Sequence, residues 1–250
     1  MSFIKNCNKH CFTKGELIMI GIIGAMAMEV DGIAAIMDNM TVETISSMKF
    51  YKGTLCGKET VTAQCNPGKV NAAICAQTII MKYSPDIIIN TGVAGGVDEE
   101  LNICDVAIGT DSVQYDMDTT ALGEPLGYIS GLNTVRIPCD ERISSLLAGC
   151  ARAANGGGVV KKGTIATADR FLSDPNIKIN IRKKFGAIAA EMEGGAIGHT
   201  AFANGVPYGI LRMISDNADG LSDMDYPAFC KIAAEKSIKI CSLFVEKWCD

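Results

Sequence analysis

No run of apolar residues in this chain reaches the roughly 18 needed to span a bilayer. Residues 1–16 also lack the apolar h-region and small-residue cleavage site of a secretory signal. Neither a membrane span nor export is expected. Lysine and arginine form no extended basic patch, and with a net charge of −5 the chain offers no electrostatic footprint for nucleic acid or an anionic lipid surface. Charged residues make up only 20% of the chain against 48% apolar, a balance that excludes disorder and implies a large interior. No linker, internal repeat or low-complexity tract interrupts the sequence. With 250 residues, the expectation is a single domain with a small molecule as its partner.

Cysteine, by contrast, is plentiful. The eleven cysteines are odd in number, scattered, and often set inside apolar segments such as Ala73-Ile74-Cys75-Ala76 and Lys239-Ile240-Cys241. Free cysteine packs as a small hydrophobe, whereas a disulfide scaffold would be shorter and richer in loops. A reducing, cytoplasmic setting is expected. Cys7, His10 and Cys11 stand close together, but no second ligand pair follows at zinc-site spacing, so no metal is expected there. No other feature points to a metal or an organic cofactor.

Residues 1–16 are polar and aperiodic and are expected to be a disordered leader before a folded domain of residues 17–250. Leu17 to Gly24 is an uninterrupted apolar run, the pattern of a strand covered on both faces, and Val30, Ile33, Ala34 and Met37 then recur at helical spacing. Met48–Cys56 and Glu59–Cys65 meet at Gly57-Lys58 as a hairpin, and Val70 to Lys82 reads as a helix. The strand Asp86–Asn90 runs into Thr91-Gly92-Val93-Ala94-Gly95-Gly96, expected to be a glycine-rich loop. As a phosphate cradle it is a weak signal, because it lacks a Walker lysine and the G-x-G-x-x-G spacing. Further strands are expected at 105–114, 159–166, 188–190 and 207–214, with helices at 140–154, 175–185 and from 193 towards 204. Tyr115 to Gly131 is a long loop of the kind that forms lids or subunit contacts. A C-terminal helix follows, capped by Ser222 or Asp225, with apolar residues at 226, 229, 230, 233, 240, 241, 244 and 248 and Trp248 as its anchor.

The strand-to-helix junctions carry the chemistry. Ala189 to Ile197 holds Glu191 and Glu193, and Leu211 to Asp219 holds Asp216, each after an apolar strand. Glu29 sits at a third such junction. An ionised group withdrawn from water costs several kcal/mol unless partners compensate. Two readings of Glu191 and Glu193 stand: acids favoured by the dipole and free N–H groups of a helix N-terminus, or ligands at a binding pocket. In a parallel sheet the carboxyl ends of strands share an edge, so Glu29, Glu193 and Asp216 converge there. Three acids without lysine or histidine nearby suit a cationic transition state such as that of glycoside cleavage. One acid protonates the leaving group, one positions water and one binds sugar hydroxyls.

Gly21-Ile22-Ile23-Gly24-Ala25-Met26 with Glu29, Asn90 to Gly96, Glu191-Met192-Glu193 and Arg212-Met213-Ile214-Ser215-Asp216 resemble the motifs of the 5′-methylthioadenosine/S-adenosylhomocysteine nucleosidases, in order and spacing from about Met19 to the end of the chain. The resemblance implies an α/β fold of the nucleoside phosphorylase type, with a central mixed sheet flanked by helices, and a homodimer. It implies hydrolysis of a nucleoside with release of adenine. Asp216 would protonate the purine at N7, Glu193 would hold the ribose hydroxyls, and Glu29 would orient and deprotonate the attacking water. Met192 would lie below the sugar, with Arg212 near the acidic cluster. Phe171 and Leu172 would stack on adenine and contact its edge, and Tyr226, where the family often has phenylalanine, would line the pocket for the 5′-substituent. The same resemblance places Ala25, Met26, Val93, Ala94, Gly95, Glu191 and Ser215 against the substrate.

The chain also departs from the family. Asn66-Pro67-Gly68-Lys69 replaces a Gly-Ile-Gly-Lys turn near the ribose. The segment Tyr115–Gly131, which in the family contributes to the dimer partner's pocket, carries Asp116 where histidine is common. Three alternatives remain open: a purine nucleoside phosphorylase, a futalosine hydrolase, and a non-catalytic nucleoside-binding protein. A phosphorylase must hold a phosphate dianion with arginines or an open nest of N–H groups, and neither Ala25–Glu29 nor Thr91–Gly96 contains arginine. A mere binder needs no water-activating Glu29.

Overall fold

A computed structural model describes residues 18–216 and 226–248, the side chains of Tyr226 and Pro227 excepted. The leader, the Cys7/His10/Cys11 group and the helix caps Ser222 and Asp225 lie outside the described residues. In chain order the elements are β1 (Met19–Gly24), α1 (Ala27–Ala34), β2 (Asp38–Ile45), β3 (Met48–Leu55), β4 (Lys58–Gln64), α2 (Lys69–Tyr83) and β5 (Ile87–Gly96). There follow β6 (Val106–Gln114), β7 (Ile137–Pro138), α3 (Glu141–Ala154), β8 (Val160–Thr167), α4 (Pro175–Phe185), β9 (Ala187–Glu191), α5 (Gly194–Ala203), β10 (Tyr208–Asp216) and α6 (Tyr226–Lys247).

All the strands join one mixed sheet, and helices cover it on both sides. β1 runs parallel to β4 and β5, and β5 parallel to β10. β10 pairs antiparallel with β6, β6 and β8 are parallel, β8 and β9 are parallel, and β9 returns antiparallel to β5. Five strands thus close into a ring, and β3 and β4 form the expected hairpin beside it. β2 was not expected. Its residues are largely exposed, so it has no buried face to produce an alternating pattern.

Two expectations are corrected. Thr91–Gly96 is not a loop but the second half of β5, because it is paired on both sides: Gly92 to Ala94 lie opposite Arg212 to Ile214, and Gly95 and Gly96 opposite Ala190 and Ala189. Glycine reads as a breaker in isolation, yet double pairing supplies its backbone hydrogen bonds. Nor do the three acidic junctions lie along the carboxyl ends of one parallel sheet. β9 runs against β5, and its end comes to those of β1 and β10 because the ten-residue β5 pairs with all three.

The apolar interior explains the packing. α2 and α5 bury Ala72, Cys75, Ile79, Ile197 and Ala201 on one face of the sheet. α1, α3 and α6 bury Ile33, Ile143, Leu147, Phe229 and Phe244 on the other. Trp248 stacks on Phe244 at 5.2 Å between centroids, with the Arg142 guanidinium 4.5 Å from its ring, so α3 and the end of α6 are tied together. Six of the described cysteines are buried, and none of those described forms a disulfide. Among the described residues, no helix is long and apolar enough to cross a membrane.

Candidate active site

At the end of β1 the chain turns through Ala25 and Met26 into α1, placing Glu29 in the first turn of that helix. The Met26 N–H donates to Glu29 Oε2 at 3.3 Å. Glu29 is 1% exposed. Burial pushes its carboxyl up to about 7, against the opposing pull of Arg212 and of the Met26 and Ala25 N–H groups. Such a group gains and loses its proton near neutral pH. Gly92 of β5 stands beside it: a Cβ there would lie 3.5 Å from Glu29 Oε1 and 3.6 Å from the Arg212 guanidinium carbon.

The two glutamates at the junction from β9 to α5 divide the two readings between them. Glu191 Oε2 accepts the N–H groups of Glu193 (2.9 Å) and Gly194 (2.6 Å) and the Arg212 Nη2 donor (2.5 Å), and Thr167 Oγ1 donates to Glu191 Oε1. This carboxylate caps α5 and anchors Arg212. Glu193 instead reaches across to the Asn66–Lys69 turn, where the Gly68 N–H donates to its Oε1 at 3.1 Å. Burial, then repulsion from Glu191, raises its pKa above the ordinary carboxylate range. Arg212 is 1% exposed at its side chain and is also bonded to Asn90. Burial disfavours its charge, but Glu191, Glu193 and Glu29 outweigh that and hold it ionised.

At the end of β10, Asp216 Oδ1 accepts from Ser215 Oγ at 2.6 Å and Oδ2 from Lys178 Nζ at 2.5 Å. A Cβ at Gly95 would sit 3.2 Å from both carboxylate oxygens, so glycine lets β5 pass close to this acid. The expectation that no lysine lies near the acids is therefore wrong. Lys178 belongs to α4, distant in sequence, and is buried on the stripe it shares with Ile181 and Phe185, three and seven residues on. That spacing was the available signal: a lysine on the inner face of an amphipathic helix.

These groups face one cavity. Ala25, Met26 and Glu29 line it from the first junction, Val93, Ala94 and Gly95 from β5, Glu191, Met192 and Glu193 from the second junction, and Ser215 and Asp216 from β10. Phe171 and Leu172 lie on the same wall, the phenylalanine 73% exposed at its rim and the leucine buried. The structure does not bring Arg212 to the wall; it lies behind Glu191. The Tyr226 side chain lies outside the described residues. Pro67 brings the Asn66–Lys69 turn to the cavity, and Gly92, Arg170 and Ala190, which were not foreseen, also line it. At the rim, Asp116 accepts from Lys69 Nζ (2.7 Å) and from the Asp169 N–H (3.1 Å), while Asp169 accepts the Lys69 N–H (2.7 Å). Asp116 thus clamps three segments beside the cavity together.

A family model described as the phosphorylase superfamily matches residues 19–246. The 5′-methylthioadenosine/S-adenosylhomocysteine nucleosidase of a Shewanella species is 38% identical over 229 residues, 91% of this chain and 98% of that protein. The Neisseria meningitidis enzyme of the same name, solved with methylthio-immucillin-A, superposes with a TM-score of 0.87 at 34% identity, covering 93% of this chain and 100% of that one. A futalosine hydrolase of Helicobacter pylori superposes with a TM-score of 0.85 at 30% identity, over 93% and 99% of the two chains. With these matches spanning nearly the whole fold and its cavity, the chain belongs to the phosphorylase superfamily and, within it, to the 5′-methylthioadenosine/S-adenosylhomocysteine nucleosidase family.

Proposed function

We propose that this protein hydrolyses the N-glycosidic bond of 5′-methylthioadenosine, S-adenosylhomocysteine and 5′-deoxyadenosine, releasing adenine and the 5′-substituted ribose. The observation that carries the reading is the meeting of Glu29, Glu193 and Asp216, from three separate junctions, on one cavity with an aromatic rim. Asp216 delivers a proton to N7 of the purine, so that the bond to C1′ breaks with its electrons moving into the base. Glu193, fixed by the Gly68 N–H, accepts the ribose hydroxyls. Glu29, poised near neutrality, faces the developing sugar cation as a carboxylate and is neutralised when it takes the proton of the attacking water. Phe171 stacks on the base and Met192 lies under the sugar.

Water rather than phosphate is the nucleophile. Arg212, whose charge reaches Glu29, is engaged by Glu191 and Asn90, and Glu29 would repel a phosphate dianion. A futalosine-type substrate is the second reading, on the likeness to the Helicobacter pylori hydrolase.

The protein acts in the cytoplasm, in keeping with the absence of a disulfide among its described cysteines, and as a homodimer. Val70, Ile74 and Met81 form an exposed apolar stripe on α2 that a second copy would cover. Residues 17–250 form the catalytic domain. The test is a comparison of kcat/KM for methylthioadenosine, S-adenosylhomocysteine, 5′-deoxyadenosine, futalosine and inosine. Preference for the 5′-thio adenine nucleosides is expected. Selective cleavage of futalosine would establish the second reading, and selective cleavage of inosine would overturn both.

A further inference from the structure

Lys178 poses a chemical problem for the acid it touches. Its side chain is 1% exposed and that of Asp216 20%, and they meet at 2.5 Å. Lys178 Nζ donates to one oxygen, and Ser215 Oγ, which also lies 3.2 Å from the Ala94 carbonyl, bonds the other; an ammonium seated on a carboxyl oxygen is the geometry of an ion pair. A carboxylate has no proton to give a purine. Other charged groups surround the pair. Glu29 from α1, Glu191 from β9, Glu193 at the start of α5 and Arg170 before α4 share the cavity, and Tyr115 packs against the cluster that α4 helps to build. On α4 itself, Asp174 caps the Asn176 N–H and Arg182 pairs with Glu99. Glu191 is taken by Arg212.

Building on the nucleosidase reading above, we propose that Lys178 and Asp216 act together as the leaving-group acid, Lys178 being a positioning residue that supplies the proton Asp216 hands on. Transfer from the ammonium to the carboxylate converts a buried ion pair into a neutral amine and a neutral acid, which removes two charges that burial penalises. Asp216 then gives the proton to N7 while the C1′–N9 bond breaks and its electron pair passes to the base. The base leaves neutral, Asp216 is a carboxylate again, and the Lys178 amine regains a proton from solvent once the site opens.

Two readouts on the full chain test this: the pH profile of adenine release from methylthioadenosine, and the split of any loss between kcat and KM. Lys178→Met keeps the side-chain volume but removes the charge. It should move the high-pH fall in turnover to lower pH, because no ammonium remains to supply the proton that the carboxyl hands on. Lys178→Arg keeps the charge but holds its proton too tightly to release it. Its KM should stay near that of the wild type while kcat drops about 100-fold or more, the loss of a general acid. An unchanged pH profile in Lys178→Met would overturn the proposal, as would wild-type kcat in Lys178→Arg. If the wild-type protein itself releases no adenine at any pH, the nucleosidase reading fails instead, and with it the proton's destination.

Discussion

Replacing Glu29 by glutamine should stabilise the protein, and only at neutral and alkaline pH. The carboxyl's pKa rises from 4.5 to about 7 on folding, chiefly because burial strips it of water. The folded state therefore holds this proton more tightly than the unfolded one, and stability contributed by the residue falls as pH rises from 4.5 through 7. A difference of about 2.5 units at 1.36 kcal/mol each gives a penalty of roughly 3 kcal/mol, complete above pH 7 and absent below 4.5. Glutamine fills the same space, can accept from the Met26 N–H, and cannot ionise. Thermal unfolding of both proteins, followed by the fluorescence of the single tryptophan, Trp248, stacked on Phe244, would read the difference. At pH 8 the variant should melt roughly 6–12 °C higher, at about 2–4 °C per kcal/mol for a chain of this size, and at pH 4.5 the curves should coincide. A gap that does not change with pH would refute the reasoning. A variant less stable at pH 8 would mean that attraction to Arg212 outweighs burial. The same variant should be folded but inactive, since it has no base for water.

Asp216→Asn should lower kcat by roughly 10²–10⁴-fold, the usual worth of a general acid, while isothermal titration shows nucleoside binding largely kept. Glu193→Ala should weaken binding of a ribose-bearing analogue as well as turnover, by about 10–100-fold for a hydrogen bond to a charged group; unchanged affinity would remove it from the sugar. Phe171→Ala should cost roughly 1–3 kcal/mol of adenine affinity, the value of one base–aromatic stack, with little effect on melting because the ring is exposed. Met81→Glu on the apolar stripe of α2 should shift sedimentation from dimer towards monomer. Deleting residues 1–16 should leave adenine release and melting temperature unchanged.

Much of this was legible from pattern alone where burial is regular. The all-apolar β1, the well-capped α3 with Asp140 accepting the Ile143 N–H, and α4 opening on Pro175 all follow local rules of propensity and capping. Local rules failed where the partner is distant. Thr91–Gly96 is extended only because β10 and β9 flank it, and nothing within those six residues says so. β2 is held by pairing to β3 without a buried face of its own. Of the acids, Glu29, Glu193 and Asp216 were found because each ends an apolar segment. The division of labour between Glu191 and Glu193 required coordinates: two residues apart, one turns back on its own helix and the other faces the Gly68 turn. Lys178 was missed because its meaning depends on an acid that lies 38 residues away.

Adenine release from methylthioadenosine, measured with and without phosphate and with the sugar product identified, tests the central claim most directly. Equal rates in both conditions, with free methylthioribose as the product, are what a site of three acids with Glu29 beside the nucleophile predicts. Release that requires phosphate and yields the sugar 1-phosphate would contradict it.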